Sequence, residues 1–131
     1  MSQVFNKIQV LISSNRAHGA GFISDRMNFA TLGIALLINI IHWVVLYIKI
    51  KPSQQNVVLH YNVSYGTDLV DKAIFIYFIP GLALLFLIVN LIIALIFFRR
   101  EKLSAYFLNF GTIAVQLIFL AASLSLIYIN E

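Results

Sequence analysis

Residues 27–48 read MNFATLGIALLINIIHWVVLYI, a stretch with no Asp, Glu, Lys or Arg between Arg26 and Lys49. A helix that crosses a hydrocarbon core needs about 20 predominantly apolar residues, so this segment is long enough by itself. The same holds for 73–98, bracketed by Lys72 and Arg99, and for 103–130, bracketed by Lys102 and Glu131. Backbone amides find no water in lipid, which leaves helices and closed barrels as spanning forms. None of the three runs alternates polar with apolar residues as barrel strands do. The expected fold is therefore an all-α integral membrane domain over 1–131. Its helices cover 27–48, 73–98 and 103–129, with a loop over 49–72 on the outer side.

Composition points the same way. The chain is 61% hydrophobic and 11% charged, where a soluble domain carries about one quarter charged residues. So little polar sequence cannot cover three such helices in water. With no cysteine in the chain, a disulfide framework, a Cys-based zinc site and a Cys nucleophile are all excluded.

The basic residues set the expected orientation. Lys7, Arg16, Arg26, Arg99, Arg100 and Lys102 share one face, and Lys49, Lys51 and Lys72 the other. Lys and Arg favour the cytoplasmic side, which puts the N-terminus inside and the C-terminus outside. Trp43, Tyr47, Tyr77 and Tyr128 gather near the outer face, at the depth such rings favour.

Before the first span, residues 2–14 place Val4, Phe5, Ile8, Leu11 and Ile12 on one helical face, opposite Asn6, Lys7 and Gln9. That pattern predicts an amphipathic helix on the cytoplasmic surface, or one packed on the spans. Residues 13–21 read as a flexible polar link. Ser24 and Asp25 offer an N-cap for the first span. Pro80-Gly81 predicts either a kink in the second span or a separate outer segment before Pro80. Arg99–Lys102 reads as a tight turn that makes spans two and three a hairpin.

In the outer loop, Val57, Leu59, Tyr61, Val63 and Tyr65 alternate with Val58, His60, Asn62 and Ser64, which predicts a β-strand followed by a turn at Gly66-Thr67-Asp68. No second strand pattern is legible. A lone strand leaves unpaired backbone groups, so it is expected to pair with another copy or a partner, or to lie against the helices.

Leu59-His60-Tyr61-Asn62, then Gly66 and Asp68, then Pro80-Gly81 and Asn90, resembles a family of small three-span membrane proteins of bacteria with reduced genomes. The resemblance runs from about Val57 to Asn90 and continues loosely through the third span. The family pattern has a second glycine after the Asp, where this chain has Val70 and Asp71. The resemblance implies a bacterial inner-membrane protein and carries over no catalytic residue.

Few residues could carry chemistry. Asn39, Asn90 and Gln116 fall near the middle of their spans, where amides commonly bond across helices. They are read as polar glue for the bundle or for an oligomer, with a polar pathway or ligand site as the functional alternative. His42 shares a helix face with Asn39 and is read as a neutral, hydrogen-bonded histidine. His60, Asp68 and Asp71 form the one compact His/carboxylate group. They are read as loop structure and not as a metal site, because no recognised ligand spacing is present. Asn62-Val63-Ser64 matches a glycosylation sequon, which matters only in a eukaryotic secretory pathway. Arg26, Arg99, Arg100 and Lys102 are expected to contact anionic lipid, so the basic balance does not imply nucleic acid.

No cofactor is implied. Small residues four apart, Thr31 with Ala35 and Ala121 with Ser125, permit close helix contact. The leading expectation is a non-enzymatic protein acting through assembly, as a homo-oligomer or a subunit of a larger membrane complex. The alternative is an oligomeric pore, transporter subunit or holin-like protein. An intramembrane enzyme comes last, for want of paired carboxylates or a Ser/His pair at evident spacing.

Overall fold

The structure, a computed structural model, describes residues 2–131, with side chains described for 3–10 and 21–131. Helix α1 covers Ser2–Ser24, and α2 covers Arg26–Lys49. A two-stranded sheet follows, β1 (Asn56–Asn62) and β2 (Gly66–Lys72). A 3-10 turn over Ala73–Tyr77 leads into α3 (Phe78–Phe98), and α4 covers Lys102–Asn130. Three of these segments, Arg26–Lys49, Ala73–Phe98 and Lys102–Asn130, are long and apolar enough to cross a membrane.

Local chemistry explains the helix boundaries. Asp25 is the N-cap of α2, extended in backbone, and its carboxylate accepts the Asn28 N–H at 3.2 Å. This satisfies one of the N–H groups a helix start leaves orphaned. The polar stretch 13–21, expected to be a flexible link, is helical as part of α1. Val4, Phe5 and Ile8 of that helix are exposed; the side chains of Leu11, Ile12 and Arg16 lie outside the described residues. Its far end is held by Phe22, which is buried against Ala94 and Ala105 and meets Phe98 edge-on at 5.3 Å.

Pro80 does not kink a long helix. It occupies the first turn of α3, where the missing N–H would have had no partner. The tighter 3-10 turn before it takes up the change of path.

The expectation of a lone strand is corrected. β1 pairs antiparallel with β2, from Asn56 opposite Lys72 to Asn62 opposite Gly66, with an irregularity around His60. Gly66 adopts φ +77°, the left-handed conformation that closes a three-residue hairpin loop and suits glycine. The Asn62 side chain accepts the Ser64 N–H within that loop. β2 escaped the sequence reading because it has no buried face: every residue after Gly66 is exposed. A strand with both faces in contact with its surroundings has no reason to alternate polar and apolar residues.

β1 is also closed on its other side. The Asn130 amide at the end of α4 donates to the Val58 carbonyl at 2.9 Å, and its oxygen accepts the Val58 N–H at 2.8 Å. One side chain thus stands in for the peptide group of a neighbouring strand. Beneath the hairpin, Leu46, Ile50, Ala73, Ile76, Leu126 and Ile127 form a buried apolar cluster against which Val57 and Leu59 pack.

Asn130→Ala removes both bonds to Val58. A net hydrogen bond is worth about 1 kcal/mol, so losing both should accelerate amide exchange at Val58 and its β1 neighbours roughly thirtyfold in detergent. Unchanged protection across 57–62 would show that Asn130 does not clamp the hairpin.

Candidate functional site

Along the long helices, most uncharged polar side chains are buried and many large apolar ones are exposed. Asn28, Thr31, Asn39, His42, Asn109, Thr112, Gln116 and Ser123 are all buried, while Ile34, Leu36, Leu37, Ile40 and Ile41 are exposed. On α2 the buried positions are Asn28, Thr31, Ala35, Asn39, His42 and Leu46. Their steps of three and four keep them on one stripe, as in a coiled-coil seam.

That stripe faces α4. Asp25 accepts the Tyr106 hydroxyl at 2.9 Å, and Asn109 donates to the Asn28 side-chain oxygen at 2.8 Å. Asn39 donates to Gln116 Oε1 at 3.0 Å, and His42 Nε2 lies 2.6 Å from the Ser123 hydroxyl. Lys49 pairs with Glu131 at the end. Each α4 partner lies 77–82 positions after its α2 residue, so the two helices run parallel and in register over their whole length.

α3 enters this seam mainly through its backbone. The Asn39 amide also donates to the Pro80 carbonyl at 3.2 Å, and Gln116 Nε2 donates to the Ala83 carbonyl at 2.7 Å. Both carbonyls lie in the first turns of α3. Asn39 and Gln116 therefore tie all three helices at one level. Asn90, expected at that same level, instead donates to Thr112 at 3.0 Å. It lies ten residues beyond Pro80, about 15 Å along the helix.

His42 and Ser123, which sequence spacing could not connect, form a hydroxyl–imidazole pair. The two are 0% and 1% exposed, so the pair is buried with no access for a substrate. Among the described residues, His42 Nδ1 and Asn109 Oδ1 are the two buried side-chain atoms without a hydrogen-bond partner.

The residues of the loop between α2 and α3 separate. His60 Nδ1 meets Asp68 Oδ1 across the strands at 2.7 Å, with both side chains about half exposed. Asp71 turns instead to the Lys72 N–H at 2.7 Å. No group of three potential metal ligands occurs among the described residues. Tyr61 is exposed on β1 beside α4, near Ser125 and Tyr128. At the opposite end, Arg26, Arg99, Arg100 and Lys102 are exposed, and the Lys102 ammonium sits 5.3 Å from the centre of the Phe98 ring.

The central amides and β1 both find partners within the chain: Asn39 bonds to Gln116, Asn90 to Thr112, and β1 to β2 along one edge and to Asn130 at Val58 on the other. Sequence reading missed Asn28, Asn109, Thr112, Ser123 and Asn130. The available signal was the recurrence of polar or small residues at steps of three and four along otherwise apolar runs. No protein-family model, no curated protein and no solved structure matches this chain.

Replacing Gln116 by Leu takes the side-chain donor from the Ala83 carbonyl and removes one of the two acceptors of Asn39. The Gln116→Leu variant should lose the sum of two interhelical bonds on titration with a denaturing detergent, each worth about 0.6–2 kcal/mol. A double-mutant cycle with Asn39→Leu should return a coupling of similar size; strict additivity would show that the two amides do not act as a pair.

Asp25 supplies a pH dependence. The Asn28 N–H, with the Tyr106 hydroxyl and the Lys102 charge, holds its carboxyl below the ordinary carboxylate range, against desolvation acting the other way. Its contribution is fully present above the unfolded value, about 3.9, and is lost as pH falls through the lower folded value. Thermal unfolding followed from pH 6 downward should show a steeper acid loss in the wild type than in Asp25→Asn, whose amide still caps α2.

Proposed function

We propose that this chain is a non-enzymatic integral membrane protein that acts by assembly, with a second copy or with another membrane protein, through its outer hairpin. In this reading the three apolar helices cross a bacterial plasma membrane. α1 and the Arg99–Lys102 turn face the cytoplasm, and the hairpin and C-terminus face outward. The inverted distribution of polarity, with amides inside and isoleucine and leucine outside, supports the lipid setting.

The observation that carries the assembly reading is the asymmetry of the hairpin edges. β1 is covered by β2 on one side and by Asn130 on the other. The outer edge of β2 has no backbone partner among the described residues. A free edge can accept an extended segment through main-chain hydrogen bonds. Asp68, Asp71 and Lys72 restrict which segments can approach, since charges at an edge block indiscriminate pairing. Exposed Leu69 and Val70 offer apolar contact beside them.

A second reading, an oligomeric pore or transporter subunit, draws on the column of polar residues from Asn28 to Ser123 and its two unpartnered atoms.

Because the chain has no cysteine, single substitutions give clean crosslinking sites. Leu69→Cys or Val70→Cys should yield specific crosslinked products in native membranes, while Phe107→Cys on α4 should not. Monomer alone at both hairpin sites would overturn the assembly reading. Labelling of Asn39→Cys or Gln116→Cys by a water-soluble thiol reagent would favour the pore.

A further inference from the structure

α4 packs closely against both α2 and α3, but α2 and α3 meet each other far less. The gap between them, closed at one end by α1, is a crevice of about 360 Å³ lined by Phe22, Phe29, Gly33, Leu36, Leu87 and Leu91, with no polar side chain in its walls. A Cβ added at Gly33 would meet nothing within 4 Å, so the space there is open and not filled by a neighbour. Its volume is in the range of small-ligand sites.

The crevice has a definite depth and a charged mouth. Leu36 and Phe29 lie three and ten residues from Asn39 toward the N-terminus of α2. At 1.5 Å per residue the crevice runs from roughly 5 to 15 Å below the Asn39 level, a length of about one third of a hydrocarbon core. Exposed Arg26 is one turn before Phe29 and two turns before Gly33, on the same face of α2. Lys102 sits over Phe98, the ring that packs edge-on against Phe22 in the crevice wall. Two more cations, Arg99 and Arg100, stand on the adjoining turn. Four cations face two carboxylates at that end: Asp25, which accepts from Asn28 and Tyr106 and feels the Lys102 charge, and Glu101, which accepts from Ser104, so the local balance stays positive.

From this arrangement we propose that the crevice between α2 and α3 seats one acyl chain of an anionic phospholipid from the leaflet on the Arg26 side, with its phosphate held by Arg26 and Lys102. The apolar walls supply room for the chain, and the cations at the mouth select the headgroup. The inference rests on the helices crossing a bilayer. Failure of that reading would show separately, as a chain that remains monodisperse in buffer without detergent.

The test is native mass spectrometry of the full chain in a mild detergent, with dioleoyl phosphatidylglycerol and dioleoyl phosphatidylcholine added in equal amounts. The wild type should retain one phosphatidylglycerol in preference to phosphatidylcholine. Each cation at the mouth should account for about fivefold of that preference. Gly33→Leu and, from the opposite wall, Leu91→Phe should abolish the retained lipid, with helicity by circular dichroism confirming that each variant folds. Arg26→Gln with Lys102→Gln should keep a retained lipid but lose the preference. Equal retention of the two lipids by the wild type, or phosphatidylglycerol retention unaltered in the folded crevice variants, would overturn the proposal.

Discussion

A buried amide with no water nearby must find a partner in the protein, and this requirement sets the arrangement of the helices. Asn39 cannot be left unpaired among isoleucine and leucine at an acceptable cost, since an amide without a partner in an apolar medium loses several kcal/mol. Its donors reach Gln116 on α4 and the Pro80 carbonyl on α3. Gln116 in turn reaches the Ala83 carbonyl. Two side chains fix the relative height of three helices that share almost no other directional contact at that level. Dispersion contacts between aliphatic side chains are weak individually and tolerate sliding; hydrogen bonds between specific amides do not.

The same logic repeats along the α2–α4 contact. Asn28 with Asn109 sits about three turns to one side of the Asn39 level and His42 with Ser123 about one turn to the other, and the two pairs have the same offset of 81 positions in sequence. A one-turn slip would break all of them together, so the parallel register is strongly specified. The ends are pinned outside the apolar stretch, by Tyr106 on Asp25 at one side and Lys49 on Glu131 at the other. α3, with its less polar surface, contributes carbonyls at its first turns and Asn90 further along. That leaves it free to splay from α2 and open the crevice between them.

The end of α4 links this bundle to the sheet. Asn130 lies at the last turn of the helix that carries most of the seam, and its amide serves as a strand edge for β1. The register of the helices therefore also sets where the hairpin stands. Trp43 and Tyr77, with ring centres 6.0 Å apart, and the Tyr77 hydroxyl donating to the Ile50 carbonyl complete the attachment between α2, the 3-10 turn and the loop.

The number of long apolar helices and their limits are legible in the chain alone, because the cost of burying a charge belongs to each residue wherever its neighbours are; Arg26, Lys49, Lys72, Arg99 and Lys102 mark those limits directly. The sequence also disclosed the Asp25 cap and the strand character of Val57–Asn62, both local properties. It did not disclose β2, whose exposed faces leave no periodic trace, nor the helical continuity of 13–21. That Asn39 meets Gln116 while Asn90 meets Thr112, that Ser123 meets His42, and that Asn130 covers β1 at Val58 emerges from the packing of the helices. Those partners are separated by 22–81 positions, and which of several equally polar side chains come within 3 Å depends on how helices cross and at what height, a quantity no single residue carries.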